Sequence, residues 1–129
     1  MQKILVVDDD PYILMSLEFL MKKGGYEVMI ARNGTEALEI INNTKPALIL
    51  LDIMMPDVDG YAICEYIKKT SALKDIIVVF VSAKTKEADV KKGIALGAAR
   101  YISKPFSTRN VMTQVTELLS QNASPDFTA

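Results

Sequence analysis

Asp8, Asp9 and Asp10 follow directly on the apolar run Ile4 to Val7. Asp52 ends a second run, Ala47 to Leu51, and Lys104-Pro105 follows the short segment Arg100 to Ser103. Carboxylates delivered to the ends of buried strands repel one another and are costly to desolvate, so a fold that gathers them must offset them with cations. An acidic pocket with a lysine beside it is what Mg²⁺-dependent phosphoryl transfer requires.

Other chemistry is excluded. The chain has no histidine, so it carries no Ser-His-Asp or Cys-His machinery and no histidine-ligated metal. Any phosphohistidine in its chemistry must belong to a partner. Cys64 is the single cysteine, which rules out an internal disulfide and a cysteine-based zinc site. Its apolar surroundings mark it as a packing residue.

The segments that must position these groups alternate short apolar runs with longer amphipathic ones, the pattern of β-α units around a parallel sheet. Lys3 to Val7 reads as a strand, and Pro11 suits the first turn of the helix after it. Ile13, Leu17, Leu20 and Met21 recur at helical spacing until Gly24-Gly25. Tyr26 to Ala31 is a second strand, less hydrophobic and so nearer an edge. Asn33-Gly34 is a turn, after which Thr35 is expected to cap a helix carrying Ala37, Leu38 and Ile41.

Ala47 to Leu51 is apolar throughout, as a strand buried on both faces must be. Asp57 and Asp59 in the following loop read as turn residues, and Gly60 as a position of positive φ. Tyr61 to Thr70 is helical, Ile76 to Val81 is a strand ending at Ser82, and Lys86 to Leu96 is a helix closed by Gly97. Arg100 to Ser103 is the last strand, and Ser107 or Thr108 caps a final helix with Val111, Met112, Val115, Leu118 and Leu119 on its buried face. Asp10 reads as the cap of the first helix.

Right-handed crossovers then give a doubly wound α/β fold, five parallel strands with helices on both faces. In such sheets the ligand site lies beyond the carboxyl ends of the strands. Asp8, Asp9, Asp52, Ser82 and Lys104 all fall there. From about Gln121 the chain is polar and aperiodic, so residues 1–120 are expected to form the domain and 121–129 a tail or the start of a linker.

With 129 residues, half of them hydrophobic, the chain has the size of one domain with a proper core. A net charge of −1 and the absence of a basic stripe argue against direct binding to nucleic acid or anionic membrane. No apolar run approaches the length of a membrane span, and the first residues lack a secretory h-region, so a cytoplasmic location is expected.

Four stretches carry a specific resemblance: Val6-Val7-Asp8-Asp9-Asp10, Leu50 to Gly60, Phe80-Val81-Ser82-Ala83 and Gly97 to Phe106. In this order and spacing they make the chain, over roughly residues 2 to 120, resemble a response-regulator receiver domain, the phosphoacceptor module of two-component signalling, similar to the chemotaxis response regulator. The resemblance implies a flavodoxin-like (βα)5 fold with strand order 2-1-3-4-5. It makes Asp52 the phosphorylated residue and Lys104 and Ser82 its catalytic partners. It implies Mg²⁺, with Mn²⁺ able to substitute, held by Asp9, Asp52 and the backbone carbonyl of Met54, with Asp8 acting through a water. Ser82 and Tyr101 become the switch pair, and the Lys104-Pro105 bond is cis. Met54 and Lys84, two residues after Asp52 and Ser82, occupy the positions that tune hydrolysis of the acyl phosphate.

The implied partners are a histidine kinase or histidine phosphotransfer protein and a downstream effector, or an effector domain of a longer chain. The readout is the surface of the fourth helix, fifth strand and fifth helix, with a phosphorylation-dependent dimer allowed. On this reading the chain is not an enzyme but a signalling domain catalysing only its own phosphorylation and dephosphorylation. Two other readings fit the residues less well. A non-phosphorylated pseudo-receiver usually lacks the acid pair, the acceptor or the lysine, and all are present here. An aspartyl-phosphate phosphatase of the haloacid-dehalogenase type needs an acid where Met54 stands. Arg100 departs from the family, which commonly has an acid there.

Overall fold

The computed structural model describes residues 1–123. In chain order it contains β1 (Lys3–Val7), α1 (Pro11–Lys23), β2 (Glu27–Ala31), α2 (Gly34–Thr44), β3 (Leu48–Leu51), α3 (Gly60–Lys69), β4 (Ile77–Ser82), α4 (Glu87–Ala95), β5 (Arg100–Ser103) and α5 (Thr108–Ala123). The five strands form one parallel sheet in the order β2-β1-β3-β4-β5.

Period-2 alternation divides the strand side chains between two cores. Leu5, Val7, Ile49, Leu51, Val78 and Phe80 pack with Ala37 and Ile41 of α2 and Ile63, Cys64 and Ile67 of α3. Ile4, Val6, Leu48, Leu50, Val79 and Val81 pack with Leu14, Leu17 and Met21 of α1 and Val111, Val115, Leu118 and Leu119 of α5. Helices on both faces explain why β1, β3 and β4 are apolar at almost every position. Cys64 is buried in the first core, where burial pushes its thiol up to about 11.

Pro11 is in the first turn of α1, and the Asp10 carboxylate caps that helix by accepting the Tyr12 N–H at 2.9 Å. Gly97, at φ +111°, closes the turn after α4. Ser107 supplies the bonds at the start of α5, its Oγ accepting the Asn110 N–H and its carbonyl the Val111 N–H.

Several local expectations are corrected. Asn33, not Thr35, caps α2, its side chain accepting the Glu36 N–H at 2.9 Å. Thr35 is instead engaged by Asp57, whose carboxylate accepts the backbone N–H of Gly34 and of Thr35 at 2.9 Å and the Thr35 hydroxyl at 2.6 Å. Gly60 does not have a positive φ, a conformation found at Gly25 and Gly97 among the glycines. It is needed for close approach, because a Cβ there would lie 2.3 Å from the Asp52 carbonyl oxygen and 2.8 Å from the Ile53 Cα. Helix α5 runs to Ala123, three residues into the stretch read as tail. Residues 124–129 lie outside the described part.

The crowding at Gly60 is against backbone, which cannot swing aside as a flexible side chain would. Gly60→Ala is therefore expected to lower stability by about 2 kcal/mol, measured as a shifted urea midpoint at unchanged m-value. An alanine variant as stable as the parent would show that this loop yields freely.

Candidate functional site

The site lies where β1 and β3 sit side by side at the centre of the sheet and their chains leave toward helices on opposite faces. Ladder bonds carry both strands up to the acids: the Asp8 N–H donates to the Ala31 carbonyl at 3.2 Å and the Asp52 N–H to the Val7 carbonyl at 3.0 Å. Asp8 and Asp52 are thereby fixed by backbone, and both are buried, at 2 % and 5 % exposure. Asp9 is exposed at the rim. Carboxylate oxygens of Asp8, Asp9 and Asp52 all lie within 4.8 Å of one another.

Lys104 reaches this cluster from the end of β5. Its backbone N–H donates to the Ser82 carbonyl at 2.8 Å, and the Lys104–Pro105 peptide bond is cis. The ammonium donates to Asp8 Oδ2 at 2.7 Å and lies 3.5 Å from Asp52 Oδ1. The other Asp8 oxygen accepts the Asp10 N–H at 2.9 Å, so Asp8 is held from two sides.

One lysine does not balance this much buried negative charge. Burial first, then the neighbouring Asp8 carboxylate, pushes the Asp52 carboxyl up to about 6, although Lys104 pulls the other way. Burial also works against the charged form of Lys104. Its hydrogen bond to Asp8 and the charges of Asp52 and Asp8 outweigh that, and its pKa lies above the ordinary lysine value.

Ser82, at 1 % exposure, ends β4 beside the cluster, and its Oγ accepts the Lys84 N–H at 3.1 Å. A groove of about 640 Å³ leads outward from Asp9 past Met54, Met55 and Tyr61 to Lys84 and Lys92. Met54 is largely exposed at its mouth, and the Lys84 ammonium lies 3.9 Å from Asp89. Tyr101 is half-buried, with its hydroxyl donating to the Lys84 carbonyl and its ring 5.8 Å from that of Phe80.

Residues 4–116 match the family model for the response regulator receiver domain. The chain belongs to the response regulator receiver family. Solved receivers agree in fold. The beryllofluoride-activated DrrB receiver domain is 31 % identical with a TM-score of 0.85, over 93 % of this chain and 98 % of that one. A CheY-like receiver domain protein from Methanospirillum hungatei is 31 % identical with a TM-score of 0.87, over 94 % and 95 %. The signal receiver domain of a histidine kinase from Syntrophus aciditrophicus is 31 % identical with a TM-score of 0.88, over 98 % and 96 %. This receiver is therefore a two-component signalling domain with the five-stranded CheY-like topology. Among its described residues no helix is long and apolar enough to cross a membrane.

The structure brings Asp8, Asp9, Asp52 and Lys104 into one cluster, with Ser82 at the adjoining strand end and Met54 and Lys84 along the groove. Arg100 is outside it, its guanidinium 3.4 Å from Glu117 of α5. Two residues acquire roles beyond the sequence reading. Asp57 anchors the β3–α3 loop to the start of α2, and those bonds hold its carboxyl well below the usual carboxylate range. Tyr61 lines the groove while its hydroxyl donates to the Asp89 carbonyl in α4. An aspartate in a Pro-Asp turn and a tyrosine on an apolar helix face were the available signals, and neither names its partner.

Proposed function

We propose that this receiver accepts a phosphoryl group on Asp52 from the phosphohistidine of a histidine kinase or histidine phosphotransfer protein. The reading rests above all on three carboxylates within 4.8 Å of one another beside a lysine ammonium. An Asp52 oxygen attacks phosphorus in line, the phosphorus–nitrogen bond of the donor breaks, and its electron pair stays on the imidazole. The product is an acyl phosphate.

The donor set suits a hard divalent cation, being all oxygen, clustered and short of positive charge. When bound, Mg²⁺ (or Mn²⁺) would be held by Asp9, Asp52 and the Met54 carbonyl, with Asp8 acting through a water, and would relieve the repulsion between an attacking and an attacked anion. Lys104 holds the carboxylate and then a phosphoryl oxygen as a point charge. Ser82 turns from the Lys84 N–H to hydrogen-bond another phosphoryl oxygen. Positioning and charge neutralisation supply the acceleration.

The new charge draws Ser82 and Lys104 toward it and moves the β4–α4 loop, to which Tyr101 is bonded through the Lys84 carbonyl. The α4–β5–α5 face carries the change to an effector, by biasing an existing equilibrium. Tyr12, Met15 and Phe19 form an exposed apolar stripe on α1, which supports docking of the phosphodonor partner there.

Acetyl phosphate with Mg²⁺ tests the reading directly. One phosphoryl group per chain is expected by intact mass, mapped to Asp52 and absent from Asp52→Asn. No added mass, or a phosphoryl group on another residue, overturns it.

Met54 and Lys84 flank the groove, and neither is a carboxylate or amide able to orient a water. The acyl phosphate is accordingly expected to be long-lived. Met54→Asn or Lys84→Glu should shorten its lifetime severalfold, measured by the decay of phosphorylated protein after removal of donor. Unaltered lifetimes in both variants would sink this expectation.

A further inference from the structure

Helix α4 is weakly anchored. Its N-cap position is Lys86, which makes no side-chain capping bond, and Gly93 is its one buried residue. By contrast α3 buries five residues and is capped by Asp59. A nine-residue helix without a cap or an apolar face owes its placement to a few tertiary contacts.

Those contacts converge on Tyr61. Its hydroxyl, donated from the first turn of α3, meets the Asp89 carbonyl in the first turn of α4 at 3.0 Å. The Lys92 ammonium, one α4 turn on, lies 4.4 Å above the centre of the Tyr61 ring. The ring packs edge-on against Phe80 at 5.5 Å, and Phe80 against Tyr101 at 5.8 Å. Gly93 admits both neighbours, since a Cβ there would come within 2.9 Å of Phe80 and 3.1 Å of Tyr101. The two phenols also interact, and Tyr61, buried and bonded, has its hydroxyl pushed up to about 12. Tyr101 thus holds the β4–α4 loop at the Lys84 carbonyl while Tyr61 holds α4 at the Asp89 carbonyl.

We infer that Tyr61 is a positioning residue for signal output, a second tyrosine that links α4, through the Phe80 ring, to the Tyr101 that holds the β4–α4 loop, so that a loop displaced at Ser82 carries the helix with it. The inference rests on Asp52 as the phosphoryl acceptor. What it adds is that coupling between loop and helix passes through the Tyr61 hydroxyl, which is bonded to α4 and not to any residue of the phosphoacceptor cluster.

Amide hydrogen exchange of the intact chain with Mg²⁺, with and without beryllofluoride, tests it in Tyr61→Phe. Tyr66→Phe is the control, because Tyr66 is on the same helix and donates to Asn42, away from α4. Free Tyr61→Phe is expected to exchange about two- to tenfold faster across Glu87 to Ala95, the loss of one hydrogen bond. On adding beryllofluoride, the loop Ser82 to Lys86 should respond as in the parent, while the response of α4 disappears. Tyr66→Phe should behave as the parent throughout. An α4 response equal to the parent's, or loss of the loop response together with that of α4, overturns the inference. In the unmodified protein the ring carbon resonances of Tyr61 must shift when beryllofluoride binds, and unchanged resonances also overturn it. Failure of beryllofluoride to bind at all, seen by fluorine NMR, would instead strike the phosphoacceptor reading.

Discussion

Lys104→Met is expected to destabilise the protein by about 2–3 kcal/mol at neutral pH in the presence of a chelator, the cost of leaving buried carboxylates without their cation. Methionine keeps the length of the stem but removes the ammonium that lies 2.7 Å from Asp8 and 3.5 Å from Asp52. The lysine is 18 % exposed at its side chain, so part of its charge is solvated and the loss falls short of that for a completely buried pair. The folded pKa of Lys104 is raised, so its contribution persists through neutrality and is lost only as pH rises through that raised value. At the acid end the contribution fades as Asp52, its carboxyl pushed up to about 6 by burial and by Asp8, takes up a proton, and the gap between variant and parent should narrow toward pH 4. Added Mg²⁺ should narrow it too, since a divalent ion offsets the same charge. Urea unfolding at several pH values measures all three. A variant as stable as the parent in chelator would show that the acids do not need this lysine.

The parts of this fold that were legible in the sequence are those set by burial, together with local signals such as the Asp10 cap before Pro11. Val7, Leu51 and Val81 are the last apolar residues of their strands, and Asp8, Asp52 and Ser82 follow because the sheet ends there. Both faces of β3 are covered, so four consecutive apolar residues read as a strand of the interior. The cluster of Asp8, Asp9, Asp52 and Lys104 follows from topology, because parallel strands bring all their C-terminal ends to one edge.

What escaped the sequence depends on contacts between distant segments. Asn33 and Thr35 are both good capping residues, and the choice is made by Asp57, more than twenty positions on, which takes the Thr35 hydroxyl for itself. Gly60 looks like a residue chosen for positive φ because Asp-Gly usually marks such a turn. Its actual constraint is the Asp52 carbonyl returning alongside it. The extension of α5 across Gln121 to Ala123 has no apolar periodicity to announce it, although alanine and glutamine are good helix formers. Tyr61 reads only as the start of a helix, and the structure buries it in the core. Its hydroxyl finds a carbonyl 28 residues away, a distance no local pattern encodes.

Asp52→Asn is expected to stabilise the metal-free protein at pH 7 by about 2 kcal/mol while abolishing phosphoryl acceptance. The carboxyl at position 52 titrates near 6 in the folded chain against 3.8 as an ordinary aspartate, chiefly because it is buried and then because Asp8 is beside it. Below the ordinary value it is protonated in both states and costs nothing. Between 3.8 and about 6 the folded chain binds the proton more readily than the unfolded chain, so stability falls as pH rises through this window. Above about 6 the whole penalty is present. Asparagine has nearly the same shape and carries no charge, so the variant escapes the penalty, and its advantage should grow from near zero at pH 4 to its full size by pH 7. Magnesium reverses the order of benefit: the parent, with all three acids, should gain far more in Tm from added Mg²⁺ than the variant does. Loss of stability in Asp52→Asn at pH 7, or an advantage that stays constant with pH, would mean that position 52 carries no strain of charge. The premise that this pocket is held short of cations so that it can receive one would then fail.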